Sequence, residues 1–251
     1  MIDIHSHILP ELDDGACSFQ QSLEMLALAV EHGTTDIVAS PHSDLRFRYD
    51  RDLVAERISA LQAECPEIRI HRGCDFHLIP ERIQEALADP ARYSIDGKGF
   101  LLVEFPDDLI PESADELLEQ MRDRGLQPVL THPERNRVLQ GDQKRIRYWV
   151  ERGSMVQITA QSVVGKFGRT AARISKELLS VGLVHFVASD AHDAKHRPPV
   201  LSEAFEAVSA DYGKKAANLL FVENPTCAIE GSPADVRPMN KKQSAWRWFR
   251  G

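Results

Sequence analysis

Seven short runs of apolar and β-branched residues alternate with amphipathic helical stretches along this chain, and that order favours a parallel sheet or barrel with helical crossovers. The runs begin at Ile2-Asp-Ile-His5, Thr35-Asp-Ile-Val-Ala39, Ile68-Arg-Ile-His71, Phe100-Leu-Leu-Val103, Gln127-Pro-Val-Leu130, Met155-Val-Gln-Ile-Thr159 and Val184-His-Phe-Val-Ala188. Between the first two, Ser18-x-x-Gln21 forms a capping box ahead of Leu23, Leu26, Ala27 and Val30 at helical spacing, and Gly33 ends the stretch. Similar helices are expected over residues 50–64, 112–124, 142–152, 168–181 and 200–212. Connections are short, and no repeat or linker interrupts them before about residue 225. One compact domain, 1–225, is therefore expected, followed by a basic and aromatic tail, 226–251.

Composition narrows the class. A chain of 251 residues with 43% hydrophobic and 27% charged residues can bury a full core without staples. No stretch reaches the roughly 18 apolar residues of a spanning helix, and the opening Met-Ile-Asp-Ile-His lacks the layout of a secretory signal, so a cytoplasmic protein is expected. The formal charge is −8, and because residues 237–251 hold five basic side chains and no acidic one, the remainder carries −13. Such a body repels nucleic acid, and no nucleic-acid partner is expected. The tail, Trp246-Arg-Trp-Phe-Arg250, keeps open contact with single strands, membrane surfaces or anionic partners. Cys17, Cys65, Cys74 and Cys227 fall singly, without a CxxC pair, and none begins a Cys-x5-Arg loop, which argues for reduced thiols and against thiol phosphatase chemistry.

The chemistry-bearing residues cluster by position. His5 and His7, His42, Asp75, Glu104, His132, then Asp190 and His192 follow the apolar runs, where the C-terminal ends of parallel strands surround a functional mouth. His5-Ser-His7 and Asp190-Ala-His192 place two potential ligands on one strand face. Taken singly, each has a plainer explanation. Asp190 fits a helix cap, Asp14 in Leu12-Asp-Asp-Gly15 a turn, and His42 or His132 a hydrogen-bonded core histidine. Glu104, in an apolar segment, needs a core salt bridge or a divalent cation. Together, five histidines and four carboxylates form a plausible multinuclear site whose mixed nitrogen and oxygen donors suit manganese, iron or zinc more than calcium.

The same residues carry a family likeness. Met1-Ile-Asp-Ile-His-Ser-His-Ile-Leu with Asp13-Asp14-Gly15, Ser40-Pro-His42, Val103-Glu-Phe105, Thr131-His-Pro-Glu-Arg135 and Ala188-Ser-Asp-Ala-His192 with Arg197-Pro-Pro199 resemble the bacterial manganese-dependent tyrosine-protein phosphatases of the CpsB/CapC type. These belong to the polymerase and histidinol phosphatase (PHP) superfamily. The resemblance, from Met1 to about Pro225, implies a distorted (β/α)7 barrel with a trinuclear site at the C-terminal ends of its strands. It implies one metal on His5, His7, Asp75 and Asp190, a second on Asp75, Glu104 and His132, and a third on Asp14, His42 and His192. Three divalent ions are expected, manganese first, with iron or zinc as alternatives. Asp75 departs from the pattern, because the family normally has glutamate at this bridging position.

Arg135 and Arg197 match the arginines that the family uses on phosphate, a role suited to a planar, permanently charged fork. The plainer reading of either is a salt bridge, for instance with Glu134. The implied activity is metal-dependent hydrolysis of phosphotyrosine without a covalent phospho-enzyme. The implied substrate is the tail of a membrane-bound bacterial tyrosine kinase controlling capsule or exopolysaccharide synthesis. A histidinol-phosphate type of small-molecule phosphatase, or a kinase-binding regulator weakened by Asp75, are the alternatives.

Overall fold

The computed structural model describes residues 1–106 and 108–234. All seven expected strands are present, β1 (Ile2–Ser6), β2 (Asp36–Ala39), β4 (Arg69–Arg72), β6 (Phe100–Glu104), β7 (Gln127–Thr131), β8 (Met155–Thr159) and β9 (Phe186–Ala188). Two short ones, β3 (His42–Ser43) and β5 (Asp75–His77), were not expected. They continue β2 and β4 after breaks at Ser40-Pro41 and Gly73-Cys74. Pairing is parallel throughout, in the order β1-β2-β4 for one sheet and β3-β5-β6-β7-β8-β9 for the other. β1 meets the end of β9 through a parallel bridge between Ser6 and Ala191, with the Asp190 N–H donating to His5 O at 2.9 Å and the His7 N–H to Ala191 O at 2.8 Å. This is the distorted (β/α)7 barrel.

The expected helices are α1 (Phe19–Glu31), α2 (Arg51–Glu64), α5 (Ala114–Asp123), α6 (Gln143–Glu151), α8 (Gly168–Ser180) and α9 (Ser202–Tyr212). Their starts follow local chemistry. The Gln21 N–H donates to Ser18 Oγ at 3.2 Å while Gln21 Oε1 accepts from the Cys17 N–H at 2.7 Å, and Asp50 and Asp142 cap α2 and α6. Further helices are α3 (Pro80–Ala88), as long as α6, and the shorter α4 (Pro90–Tyr93), α7 (Ala160–Val163) and α10 (Lys214–Asn218), and a π turn at Leu219–Glu223 leads into α11 (Asn224–Glu230). The domain limit expected at residue 225 falls inside α11. The aromatic and basic tail, Trp246 to Arg250, lies outside the described residues.

Two apolar layers hold these elements together. The larger packs the outer faces of the strands against the helices, with Leu101, Val103, Leu130, Val156, Ile158 and Val187 among its members. The smaller fills the lower interior with Ile2, Ile4, Phe100, Leu102, Val129, Met155, Phe186 and Ala188, and Ala228 and Ile229 of α11 pack into it. Alternation therefore turns Phe100, Leu102 and Glu104 of β6, and Phe186, Ala188 and then Asp190 along β9, to one face. β1 breaks this rule usefully. One extra residue between Asp3 and Ser6 forms a bulge, so that Ile2 and Ile4 join the interior layer while His5 still reaches Gln157 on the same interior. Among the described residues, no helix is long and apolar enough to cross a membrane.

Candidate metal centre

At the C-terminal rim the nine expected ligand residues come together. His5 and His7 leave β1, His42 opens β3, Asp75 opens β5, Glu104 ends β6, His132 follows β7, and Asp190 and His192 follow β9. Donor atoms of His7, Asp14, His42 and His192 lie within 4.8 Å of one another, as do those of His5, His7 and Asp75, and those of His5, His132 and Asp190. Around these groups, His5 Nε2 stands 3.6 Å from Asp75 Oδ2 and 3.5 Å from Asp190 Oδ1, and His132 Nε2 stands 3.4 Å from Glu104 Oε1. Asp14, half exposed, reaches His42 Nε2 at 3.3 Å and His192 Nε2 at 3.5 Å from the loop after β1.

Two histidines are aimed by partners behind them. Gln157 Oε1 lies 3.0 Å from His5 Nδ1, and Asp13 Oδ2 lies 2.6 Å from His7 Nδ1, so both rings turn Nε2 inward, with 3.2 Å between those atoms. Asp13 also accepts from the backbone N–H of Gly15 and of His42, tying the loop to β3. This is the ring-orienting arrangement that supports metal-binding imidazoles. The loop lies so close to His7 that a Cβ on Gly15 would sit 2.1 Å from His7 O, which reserves the position for glycine. His132 and Asp190 hold left-handed backbone conformations, φ 34° and 51°, a strain typical of functional sites.

Burial and mutual contact set the charges. Asp75 and Asp190 are almost completely buried, which opposes ionisation, yet both carboxyls are held well below their usual range by His5 and, respectively, His42 and Arg197. Burial beside Arg135 lowers His132 to about 3, leaving a neutral imidazole that can act as a ligand. Burial opposes charge on His7, but Asp13 outweighs it and raises the ring to about 9. Whether a cation fits can be judged from the carboxylates. Asp75 Oδ1 is buried without a hydrogen bond, and Asp75 Oδ2 and Glu104 Oε2 face the imidazoles of His42 and His77, a costly arrangement that a shared divalent ion relieves.

Arg135 and Arg197 converge on one atom. Both donate to Asp190 Oδ2, Arg197 at 2.5 Å, and both guanidiniums lie over the Phe167 ring, with Cζ 4.6 and 5.8 Å from its centroid. The plainer pairing of Arg135 with Glu134 is not the one formed. Glu134 is fully buried and accepts from the Thr159 N–H at 2.9 Å, pinning the β7–α6 loop to β8. The arginines open onto a cavity of about 340 Å3 whose walls include Phe47, Phe105 and Pro106.

Reading the sequence missed Asp13, Gln157 and Phe167. Asp13 was visible only as a turn residue, and Gln157 and Phe167 carried no local signal.

Comparison with known proteins agrees with this geometry. The profile of the family described as capsular polysaccharide synthesis, CpsB/CapC, matches residues 1–230. The chain is 34% identical over 227 residues to the tyrosine-protein phosphatase YwqE of Bacillus subtilis, covering 88% of each chain. With the tyrosine-protein phosphatase CpsB of Streptococcus agalactiae serotype V it shares 30% identity over 89% of its own length and 96% of the relative's. A solved structure from work on YwqE of B. subtilis and CpsB of Streptococcus pneumoniae, described as unique metal-dependent tyrosine phosphatases, superposes with a TM-score of 0.89 at 31% identity, over 97% of this chain and all of that one. Histidinol phosphate phosphatase of Lactococcus lactis, at TM-score 0.56 and 15% identity, shares the fold. The chain belongs to the CpsB/CapC family.

Proposed function

We propose that this chain is a metal-dependent protein-tyrosine phosphatase. The observation that carries the reading is the stacking of two layers at one rim: buried carboxylates facing imidazoles below, and two guanidiniums opening onto an aromatic-walled cavity above. His5, His7, Asp14, His42, Asp75, Glu104, His132, Asp190 and His192 would hold three divalent ions, manganese before iron or zinc. Bound there, the ions would lower the pKa of water toward neutrality and polarise phosphoryl oxygens.

The protein's own groups do the rest. Arg135 and Arg197 bind the non-bridging phosphoryl oxygens and offset the charge that grows on them during hydrolysis. Phe167 beneath both guanidiniums restricts their orientation. Phe47, Phe105 and Pro106 supply the apolar wall that a phenyl ring requires. A phenolate leaving group, with a pKa of about 10, departs without needing a strong general acid. The proposed substrate is the phosphotyrosine tail of a membrane-bound tyrosine kinase, met in the cytoplasm, and the family description, capsular polysaccharide synthesis, supports the capsule or exopolysaccharide setting.

The test compares phosphate release from a phosphotyrosine peptide and from histidinol phosphate by metal-free protein reloaded with Mn2+. Turnover of the peptide, abolished by EDTA and restored by Mn2+, is expected. Metal-dependent turnover of histidinol phosphate with the peptide untouched would overturn the substrate reading.

A further inference from the structure

Three neighbouring strands bring a tenth potential ligand to the rim. β3 pairs with β5 so that His42 stands opposite Asp75, and β5 pairs with β6 so that His77 stands opposite Glu104. Asp75 and His77, two apart on β5, share one strand face. His77 Nε2 contacts Glu104 Oε2 directly and lies 3.3 Å from His42 Nδ1, the two rings meeting edge to face at 5.0 Å. His42 Nδ1 in turn lies 3.1 Å from Asp75 Oδ2 and 3.4 Å from Glu104 Oε2. Two ring nitrogens and two carboxylates thus converge within 4.8 Å, and the remaining oxygen of Asp75, Oδ1, is buried without a hydrogen bond. Hydrogen bonding alone satisfies this group poorly. One proton can lie between the facing nitrogens of His42 and His77, and a short aspartate cannot extend toward Glu104.

We propose that His77 is a metal ligand, joining Asp75 and Glu104 in the donor set of one ion at the β5-β6 side of the rim, while His42 keeps its Nε2 toward Asp14. The inference rests on the reading of the rim as a metal centre and adds a residue to it. An imidazole and two carboxylates are a hard-to-intermediate set that zinc, iron and manganese all accept. The short side chain at position 75 makes the added imidazole necessary, because it supplies the contact that a longer carboxylate would have made.

The experiment uses the full chain, stripped with EDTA and titrated with Mn2+, with bound metal counted by elemental analysis and affinity read by competition with a chromophoric chelator. Co2+ loading adds a visible spectrum that reports the ligand set. His77→Ala is expected to lose one ion per chain, or to bind the weakest ion at least about ten-fold less tightly, with an altered Co2+ band. His77→Gln keeps a donor for Glu104 but is a poor ligand, and it is expected to behave as the alanine variant does. Adding Asp75→Glu to His77→Ala is expected to recover most of the lost affinity, since the extra methylene carries the carboxylate toward the vacated position.

Full metal content and an unchanged Co2+ spectrum in His77→Ala would overturn the proposal, and so would a glutamine variant equal to the unaltered chain beside a defective alanine variant, which marks a purely hydrogen-bonding role. An unaltered chain that takes up no metal would overturn both this proposal and the metal-centre reading. Loss of an ion from His77→Ala in a protein that does not hydrolyse phosphotyrosine would support this inference and sink the substrate reading alone.

Discussion

Replacing Arg135 or Arg197 by alanine should lower kcat/KM on a phosphotyrosine peptide by about 10- to 150-fold each. That range follows from the worth of a hydrogen bond to a charged group, about 1.5–3 kcal/mol, at about 1.4 kcal/mol per decade. The structure supports the full range, because both side chains are only about a quarter exposed, 26% and 25%. Both also donate to the same oxygen of Asp190, so the two sites are coupled. The double variant should therefore lose less than the product of the two single losses. Lysine at either position keeps the charge and loses the fork, and should fall between arginine and alanine. Metal content must be measured beside each rate. Removing a guanidinium frees Asp190 Oδ2, so these variants should hold metal at least as tightly as the unaltered chain. Two alanine variants that carry full metal and retain kcat/KM within about three-fold would refute the assignment of these residues to the phosphoryl group.

Three further outcomes follow. Stripping the protein with EDTA should lower its melting temperature, since an ion at a thousand times its Kd contributes about 4 kcal/mol, or roughly 8–16 °C for a domain of this size, and an unchanged melting scan would count against cation binding at the rim. His185, remote from the rim, is lowered by burial to about 4 against about 6.5 when unfolded; the unfolded chain binds the extra proton between those values, so stability should fall as pH drops through that window, by on the order of 3 kcal/mol when complete. Urea midpoints of His185→Asn, an isostere whose amide oxygen can still accept from the Val156 N–H, should show a weaker acid dependence, and an identical slope would contradict the linkage. Trp149, 1% exposed, stacks on Phe105 at 5.2 Å and donates to Asp115 at 2.7 Å, so Trp149→Ala should cost about 3–5 kcal/mol in a denaturant titration while Trp149→Phe should cost about 1 kcal/mol.

The strands were legible because short apolar and β-branched runs end in polar residues, a pattern that survives without knowledge of partners. β3 and β5 were not, since His42-Ser43 and Asp75-Phe-His77 are too short and too polar to show a period. Pro41 and Gly73 mark the breaks, yet each also reads as an ordinary turn. The limit at about residue 225 rested on the proline, polar and basic composition beyond it, although proline is well tolerated in a first helical turn and α11 begins there. The bulge in β1 escaped notice because it is defined by the register with β2, which no local pattern encodes. Spacing exposed the candidate ligands that share a strand, whereas Gln157 and Phe167 meet partners far along the chain.

The meeting of β1 with β9 also dictates an order of assembly. Ser189 donates its backbone N–H to Asp3 across 186 residues, at the same seam as the Ser6–Ala191 bridge. During synthesis the first strand can dock on the second within a few dozen residues, but its other edge stays unsatisfied until nearly the whole domain has left the ribosome. Contacts of such sequence separation slow folding and leave a strand edge open to wrong pairing in the interval. His5 and His7 emerge with that strand, so these two imidazoles must wait for Asp190 to arrive, and the candidate centre is completed late in the life of each nascent chain.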